Sequence, residues 1–400
     1  MAHSISVKKA ANTLLVVLFL GFILLPPLGM LIGKQSVWSA AEKRSLSLLP
    51  HLPTALDEIT TFFASLDDYL DDHFGFREFF IHRYQRELDK RFNMTSSSSR
   101  VIKGLDGWYF FNEFNLLQDF LGLIPLKKDQ LETWLARQQE KQTWLQSQGI
   151  RYLYMAIPNK QTIYPRYVMD HALARKGTTR FEQLREYTGN RLPDHMIDLH
   201  RVLRPEAFAK PLYFKNDSHW NTFGAYVAFR EIMARIAAWF PQEEFVTDFA
   251  FGPDKTGTGG NTGNGGDLAL MLMQRDLTET YPEVQPFTGC GPYAHVPYRL
   301  SNVIEGEGRD SFMRTCAQKN LRAVVFRDSF FVPLEPFLSE NFREVLYLWK
   351  EYDQQNLEEL LVHFKPDIVI EAVVERHVFD SLLSGEKAAQ PVEETGRKKT

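Results

Sequence analysis

Asp217 and His219 lie two residues apart in the stretch Tyr213-Phe214-Lys215-Asn216-Asp217-Ser218-His219-Trp220-Asn221. In extended backbone, residues i and i+2 share a face. A carboxylate and an imidazole so placed make the base half of an acyl-transfer site, in which the ring moves a proton and the acid fixes its tautomer. The nucleophile that such a pair requires is best sought at Ser329. It stands where the apolar run Leu321 to Phe326 stops at Arg327-Asp328-Ser329, and α/β folds place reactive groups at the C-terminal ends of buried strands. Each piece also has a plainer reading. An acid two residues before a histidine is common in a chain with 11 His, and Asp-Ser after a strand is a usual helix N-cap. Their joint presence in one exported α/β chain favours the chemistry.

The elements that must position these residues follow from periodicity. Apolar spacings of three and four predict helices over about Asp57 to Phe92, broken near Gly75, and an amphipathic helix after His219. Val101 to Phe111 reads as a hairpin turning at Leu105-Asp106-Gly107. A polar helix over about Lys127 to Gln148 leads into a buried strand, Arg151 to Ile157. That strand ends in Pro158-Asn159-Lys160, which is either a plain turn or part of a site. Met196 to Leu199, Val345 to Trp349 and Pro366 to Val374 are further strands, the last capped by Glu375-Arg376. Strands alternating with helices, most of them continuously apolar, imply a parallel sheet with helices on both faces. The glycine-rich run Gly252 to Gly266 lacks a Walker lysine and a leading strand, so it reads as a mobile loop rather than a nucleotide site. Gly265, Gly266 and Asp267 then open a helix whose N–H groups could face an anion. Cys290 to Cys316 reads as a loop.

Composition limits the alternatives. A net charge of -4 over 400 residues implies no broad basic surface and no nucleic-acid partner. The two cysteines, Cys290 and Cys316, have no zinc spacing. Outside the cytoplasm they could form a disulfide, which the sequence leaves open. Lys8 and Lys9 precede an apolar run from about Ala10 to Ile32, near the length that spans a bilayer. The lysines keep the N-terminus inside, so the rest is exported. An uncleaved anchor is favoured over a cleaved signal peptide, because Ser39-Ala40-Ala41 lies far beyond the run. The expected organisation is a cytoplasmic N-terminus and anchor over 1–34, a linker and helical segment over 35–100, the catalytic domain over 101–380 and a disordered tail over 381–400.

These motifs together resemble one family. The anchor, Gly104-Leu105-Asp106-Gly107-Trp108-Tyr109-Phe110, Pro158-Asn159-Lys160, Asp217-Ser218-His219-Trp220-Asn221, Gly266-Asp267-Leu268 and Arg327-Asp328-Ser329-Phe330 are similar in order to the alginate O-acetyltransferase AlgJ/AlgX-like proteins of the SGNH hydrolase superfamily. The resemblance covers roughly residues 95 to 380. It implies a flavodoxin-like, three-layer α/β/α sandwich with a parallel sheet. It also implies a triad of Ser329 as nucleophile, His219 as base and Asp217 as its orienter, in the family's permuted order. No metal or cofactor is implied. The implied partners are a polysaccharide acceptor and a multi-pass membrane O-acyltransferase that supplies acetyl, at the periplasmic face of a bacterial inner membrane. Two departures concern the oxyanion hole. Arg327 replaces the usual Gly before Asp-Ser, and the strand that normally delivers an oxyanion-hole Asn leads here to Arg376. The Ser329 N–H is one expected donor. Gly266, Asn159, Lys160, Arg327 and Arg376 are candidates for the rest of the oxyanion or substrate site. An exported acetyl-esterase with the same triad and a non-catalytic glycan-binding scaffold stay open as alternatives. The glycan itself is not named by the sequence.

Overall fold

Apolar residues on both faces of a strand require a layer on each side of the sheet, and that is the arrangement in the computed structural model. It describes residues 2–32, 37–39, 44–92, 100–168, 175–204, 208–260, 266–272, 274, 277–285, 289–290, 296–297 and 311–383. The expected disordered tail over 381–400 falls outside these from residue 384 onward. So do the serine patch 93–99, Ala40-Ala41 and Gly265. The chain forms two compact units, 1–99 with 269–275, and 100–268 with 276–400.

The first unit contains α1 (Ala2–Ile32), α2 (Ile59–His73) and α3 (Arg77–Phe92). Within α1, Asn12–Ile32 is long and apolar enough to cross a membrane, with a mean hydropathy of 2.6, and fits a single-pass anchor. The helix continues through Pro26 and Pro27 rather than stopping at them.

The second unit begins with a hairpin, β1 (Val101–Lys103) and β2 (Tyr109–Phe111). Its turn needs left-handed backbone at Asp106 (φ 52°) and Gly107 (φ 76°), which is why Asp-Gly stands there. After α4 (Lys128–Ser147) come β3 (Arg151–Ile157), β4 (Met196–Ile197) and α5 (Thr222–Trp239). A small hairpin joins β5 (Lys255–Gly257) to β6 (Glu279–Tyr281). The chain then runs through β7 (Val296–Pro297), β8 (Phe312–Thr315), β9 (Arg322–Phe326), β10 (Glu344–Leu348), α6 (Gln354–Leu361) and β11 (Ile368–Val374). The central sheet is seven-stranded in the order β4-β3-β11-β9-β10-β8-β7. It is parallel from β4 to β10 and antiparallel at the β8 and β7 edge.

Alternation along each strand separates the core into two layers. Leu153, Met155, Ala323, Val325, Ile368 and Ile370 pack beneath Phe229, Ile232, Met233 and Ile236 of α5. Their neighbours Tyr152, Tyr154, Val324, Phe326 and Val369 face Leu131 and Trp134 of α4 and Leu357 and Leu360 of α6. This is a three-layer α/β/α sandwich with a mostly parallel sheet, as expected.

Two expectations are corrected. The Cys290 to Cys316 stretch is not only loop, since it contributes β7 and β8 to the sheet edge. The Gly252 to Gly266 run includes β5, paired in register with β6. Both strands are too short and polar to show an alternating pattern. Cys290 and Cys316 form a disulfide across 26 residues, which ties the edge strands to the preceding segment. Closing a loop of this length stabilises by about 3.5 kcal/mol in the chain-entropy account. Cys290→Ser is therefore expected to lower the melting temperature of the protein. Reductant should lower it equally in the wild type and leave the variant unchanged.

Candidate active site

Ser329 follows the C-terminal end of the central strand β9, and Asp217 and His219 come to it on a loop outside the sheet. β9 leaves the sheet at Phe326, and Asp328 caps the short helical turn Ser329–Leu334 by accepting from the Phe330 N–H at 2.8 Å. The other Asp328 oxygen accepts from the Val374 N–H at 2.8 Å, which pins this turn to the end of β11. Ser329 is thus held half-buried at the mouth of the sheet. The 213–221 stretch arrives from the opposite side. Asn221 caps α5, accepting from the N–H groups of Phe223 and Gly224. Trp220 donates its indole N–H to the Phe330 carbonyl at 2.7 Å, joining the two loops directly. In that frame His219 Nε2 lies 2.9 Å from Ser329 Oγ and Nδ1 lies 2.6 Å from Asp217 Oδ1. Residues 110 positions apart thus form a continuous serine–imidazole–carboxylate chain of hydrogen bonds.

The loop carrying Asp217 and His219 is held largely by buried charges. Glu279 of β6 accepts from the Lys215 and Asn216 N–H groups at 2.6 and 2.9 Å. Asp267 accepts from the Ser218 N–H at 2.7 Å, and Asp217 from the His219 N–H at 2.8 Å. Lys160 satisfies carbonyls from below, donating to Lys215 O at 2.8 Å and Asp217 O at 2.9 Å. Its ammonium rests 5.3 Å from the Trp108 ring centre and 5.4 Å from that of Phe110, so the β1–β2 hairpin forms the floor of the site. Tyr109 N–H adds a 3.1 Å bond to Lys215 O.

Electrostatics follow from this packing. Burial lowers the Lys160 pKa to about 7, against the opposing pull of Glu279, Asp217 and Asp267. Burial would raise Asp217, but the His219 charge and the hydrogen bonds from His219 and the Asp267 N–H outweigh it and hold the acid well below the carboxylate range. Burial would lower His219, but Asp217 and then Asp267 outweigh it and hold the ring above its ordinary value.

The other expected residues are placed as follows. Asn159 stands at the start of the turn after β3 without capping it through its side chain; its N–H is on Glu375 at 2.7 Å and its buried side-chain oxygen is unpartnered among the described residues. The Arg376 guanidinium lies between the Phe111 and Phe330 rings, at 5.4 and 5.0 Å. Phe330 in turn packs 4.4 Å from the His219 ring, so a cation stands one ring away from the imidazole. Arg327 does not reach the site. Its buried guanidinium pairs with Glu335 at 3.1 Å and stacks on Trp349 at 4.3 Å, because its backbone still continues the sheet by bonding Leu348 O. Gly266 is corrected as well. Its N–H is spent on Thr258 O at 3.1 Å, so it offers no oxyanion donor. The position requires glycine for another reason, since a Cβ there would lie 2.2 Å from Asn216 O. Gly266→Ala must push on the 215–219 loop. If His219 acts as a base, turnover is expected to fall about 100-fold with KM little changed, the consequence of displacing its ring by an ångström or so.

Asp217, His219 and Asp267 bring possible ligand atoms within 4.8 Å of one another. Their oxygens and Nδ1 are already engaged internally, since Asp217 holds Nδ1 and Asp267 holds Ser218.

Sequence reasoning missed Glu279 and the part played by the Asp267 side chain. Glu279 carries no sequence signal, being one acid in a short polar strand. Asp267 stood inside a recognised motif, which could have drawn attention to its carboxylate. Residues 101–289 match the family described as SGNH hydrolase-like domain, acetyltransferase AlgX. The match takes in Asp217, His219 and Asp267 and ends before Ser329. No curated protein sequence matches. Among solved structures the chain is similar to Bacillus cereus PatB1, at 15% identity over 70% of this chain and 97% of that one, with a TM-score of 0.46. It is also similar to the O-acetyltransferase domain of Pseudomonas putida AlgJ, at 16% identity over 73% and 100%, with a TM-score of 0.39. Pseudomonas aeruginosa AlgX is similar at 16% identity over 68% and 62%, with a TM-score of 0.40.

Proposed function

We propose that this chain is an SGNH hydrolase-like acetyltransferase of the AlgX type, whose family model it matches over residues 101–289, and that it O-acetylates an exopolysaccharide through an acetyl-Ser329 intermediate. The observation that carries the reading is the unbroken chain from Ser329 Oγ through His219 to Asp217, at 2.9 and 2.6 Å.

Ser329 Oγ attacks the acetyl carbonyl as His219 Nε2 takes its proton. The donor's acyl bond then breaks, and His219 passes the proton to the leaving group. A sugar hydroxyl next attacks acetyl-Ser329 while His219 takes the hydroxyl proton, and collapse returns that proton to Ser329 Oγ. Asp217 stays ionised throughout and stabilises the imidazolium. The Ser329 N–H is one oxyanion donor. Arg376 supplies positive charge beside the developing oxyanion or the acceptor, and Asn159 lines the same end of the sheet. The helix Asn12–Ile32 anchors the protein in the inner membrane with this site in the periplasm, next to a multi-pass O-acyltransferase that delivers acetyl. The acceptor is a polysaccharide of alginate-like or other type.

The test uses the full-length protein in detergent with an activated acetyl ester, followed by glycan acceptors. Acetyl trapped on Ser329 and then passed to sugar supports the proposal. Release to water at the same rate whatever the acceptor would make the protein an esterase. Absence of any Ser329-dependent adduct would remove catalysis altogether.

A further inference from the structure

A second carboxylate stands behind the acid–imidazole pair. Asp267 is buried and opens the short helix Asp267–Met271, but its side chain reaches a residue 49 positions away. One oxygen accepts from the Ser218 N–H at 2.7 Å and the other from Ser218 Oγ at 2.6 Å. Its own N–H donates to Asp217 Oδ2 at 3.0 Å, the oxygen that His219 leaves unused. The Asp267 carboxylate also lies 3.7 Å from His219 Nδ1, and Ser218 Oγ lies 3.4 Å from the same nitrogen. Backbone and side chain of one residue therefore engage Asp217, the residue between, and the Nδ1 edge of the ring.

We propose that Asp267 is a positioning residue of this site: through Ser218 and its own N–H it fixes the Asp217–His219 pair, and it sets a second negative charge on the Nδ1 side of the ring. This rests on His219 being the base, as proposed above. A helix cap alone would explain neither the double grip on Ser218 nor the approach to Nδ1. Among the described residues, the charged groups that act on the ring are Asp217 on its own loop, Asp267, and, across Phe330, Arg376. Lys160 and Glu279 act on Asp217. Loss of the Asp267 charge therefore leaves Asp217 and the opposing Arg376 to set the ring's protonation, and shifts it toward the neutral form.

The experiment compares wild type, Asp267→Asn and Ser218→Ala as full-length proteins in detergent. Hydrolysis of p-nitrophenyl acetate is followed against pH, and the His219 ring is titrated by NMR. Asp267→Asn is expected to lower kcat about 10- to 100-fold, to leave KM unchanged, and to move both the acid limb and the ring titration to lower pH. Ser218→Ala removes only the hydroxyl bridge and is expected to lower kcat several-fold while the titration stays in place. A folded Asp267→Asn protein whose ring titrates as in wild type would overturn the inference and leave Asp267 a structural brace. If Asp267→Asn does not fold, an unchanged kcat in Ser218→Ala would overturn it equally. Absence of ester hydrolysis in the wild type would count against the acetyltransferase reading alone, because the NMR titration needs no turnover.

Discussion

Ser329→Ala is expected to abolish acetyl-enzyme formation and to lower kcat about 10⁴- to 10⁶-fold, the range found when a triad nucleophile is removed from a preorganised site. The fold should survive. Ser329 Oγ bonds His219 at 2.9 Å, whereas the turn is held by Asp328 and by Trp220 on the Phe330 carbonyl. An unchanged melting temperature with lost acetylation would separate chemistry from structure. His219→Ala should cost about as much, and the double variant little more, because the residues act as a unit. Intact-mass analysis after incubation with the ester, together with initial rates, reads these outcomes. A Ser329→Ala protein that still acquires acetyl and transfers it to glycan would place the nucleophile elsewhere.

The parts of this architecture visible in the sequence are those written in apolar periodicity or in local motifs. β3 and β11 are continuous apolar runs because both faces are covered, and their observed bounds, Arg151–Ile157 and Ile368–Val374, fall within a few residues of the expected ones. Asp217 and His219 were visible because two residues of extended chain bring them together. Ser329 was visible because a buried strand ended at Asp-Ser. What stayed hidden depends on contacts between distant polar residues. Glu279 meets the Lys215 N–H across 64 positions and Asp267 meets Ser218 across 49, and no period links them. Arg327 shows the converse. Sequence adjacency to Ser329 suggested a substrate contact, but strand alternation turned the side chain toward Glu335 and Trp349. Gly266 is a candidate donor in the sequence because it opens a helix whose N–H groups could face an anion, yet here it is glycine to let the Asn216 carbonyl approach. Lys160 was suspected from its place after a strand. Its role beneath the loop emerges only when the Trp108 and Phe110 rings are seen to seat it.

Asp217→Asn is expected to lower kcat about 10⁴-fold, and an amide turned toward Nδ1 also gives up the acceptor of the His219 N–H. An amide in this position can donate to Nδ1, which forces the ring proton onto Nε2 and removes the lone pair that must receive the Ser329 proton. The pH dependence carries a second signature. In the wild type the neutral ring is the base and its pKa is held above 6.5, chiefly by Asp217 against burial. Activity should therefore rise as pH climbs through that raised value. In the variant the opposing burial remains and its main counterweight is gone, so the residual activity should show its acid limb at lower pH. Stability runs the other way. Asp217, depressed below 3.8, contributes stability that is present above the unfolded carboxylate value and lost as pH falls through the folded one. His219, raised above 6.5, contributes stability that is present below the unfolded value and lost as pH rises through the folded one. The charged pair thus stabilises the fold most in the window between the two, and the protein becomes active as it leaves that window on the alkaline side. Melting temperatures measured across the same pH series should be flatter in Asp217→Asn than in wild type. Equal curvature in the two proteins would mean that the buried pair is not the linked group, and the assignment of Asp217 as the partner that charges His219 would fall with it.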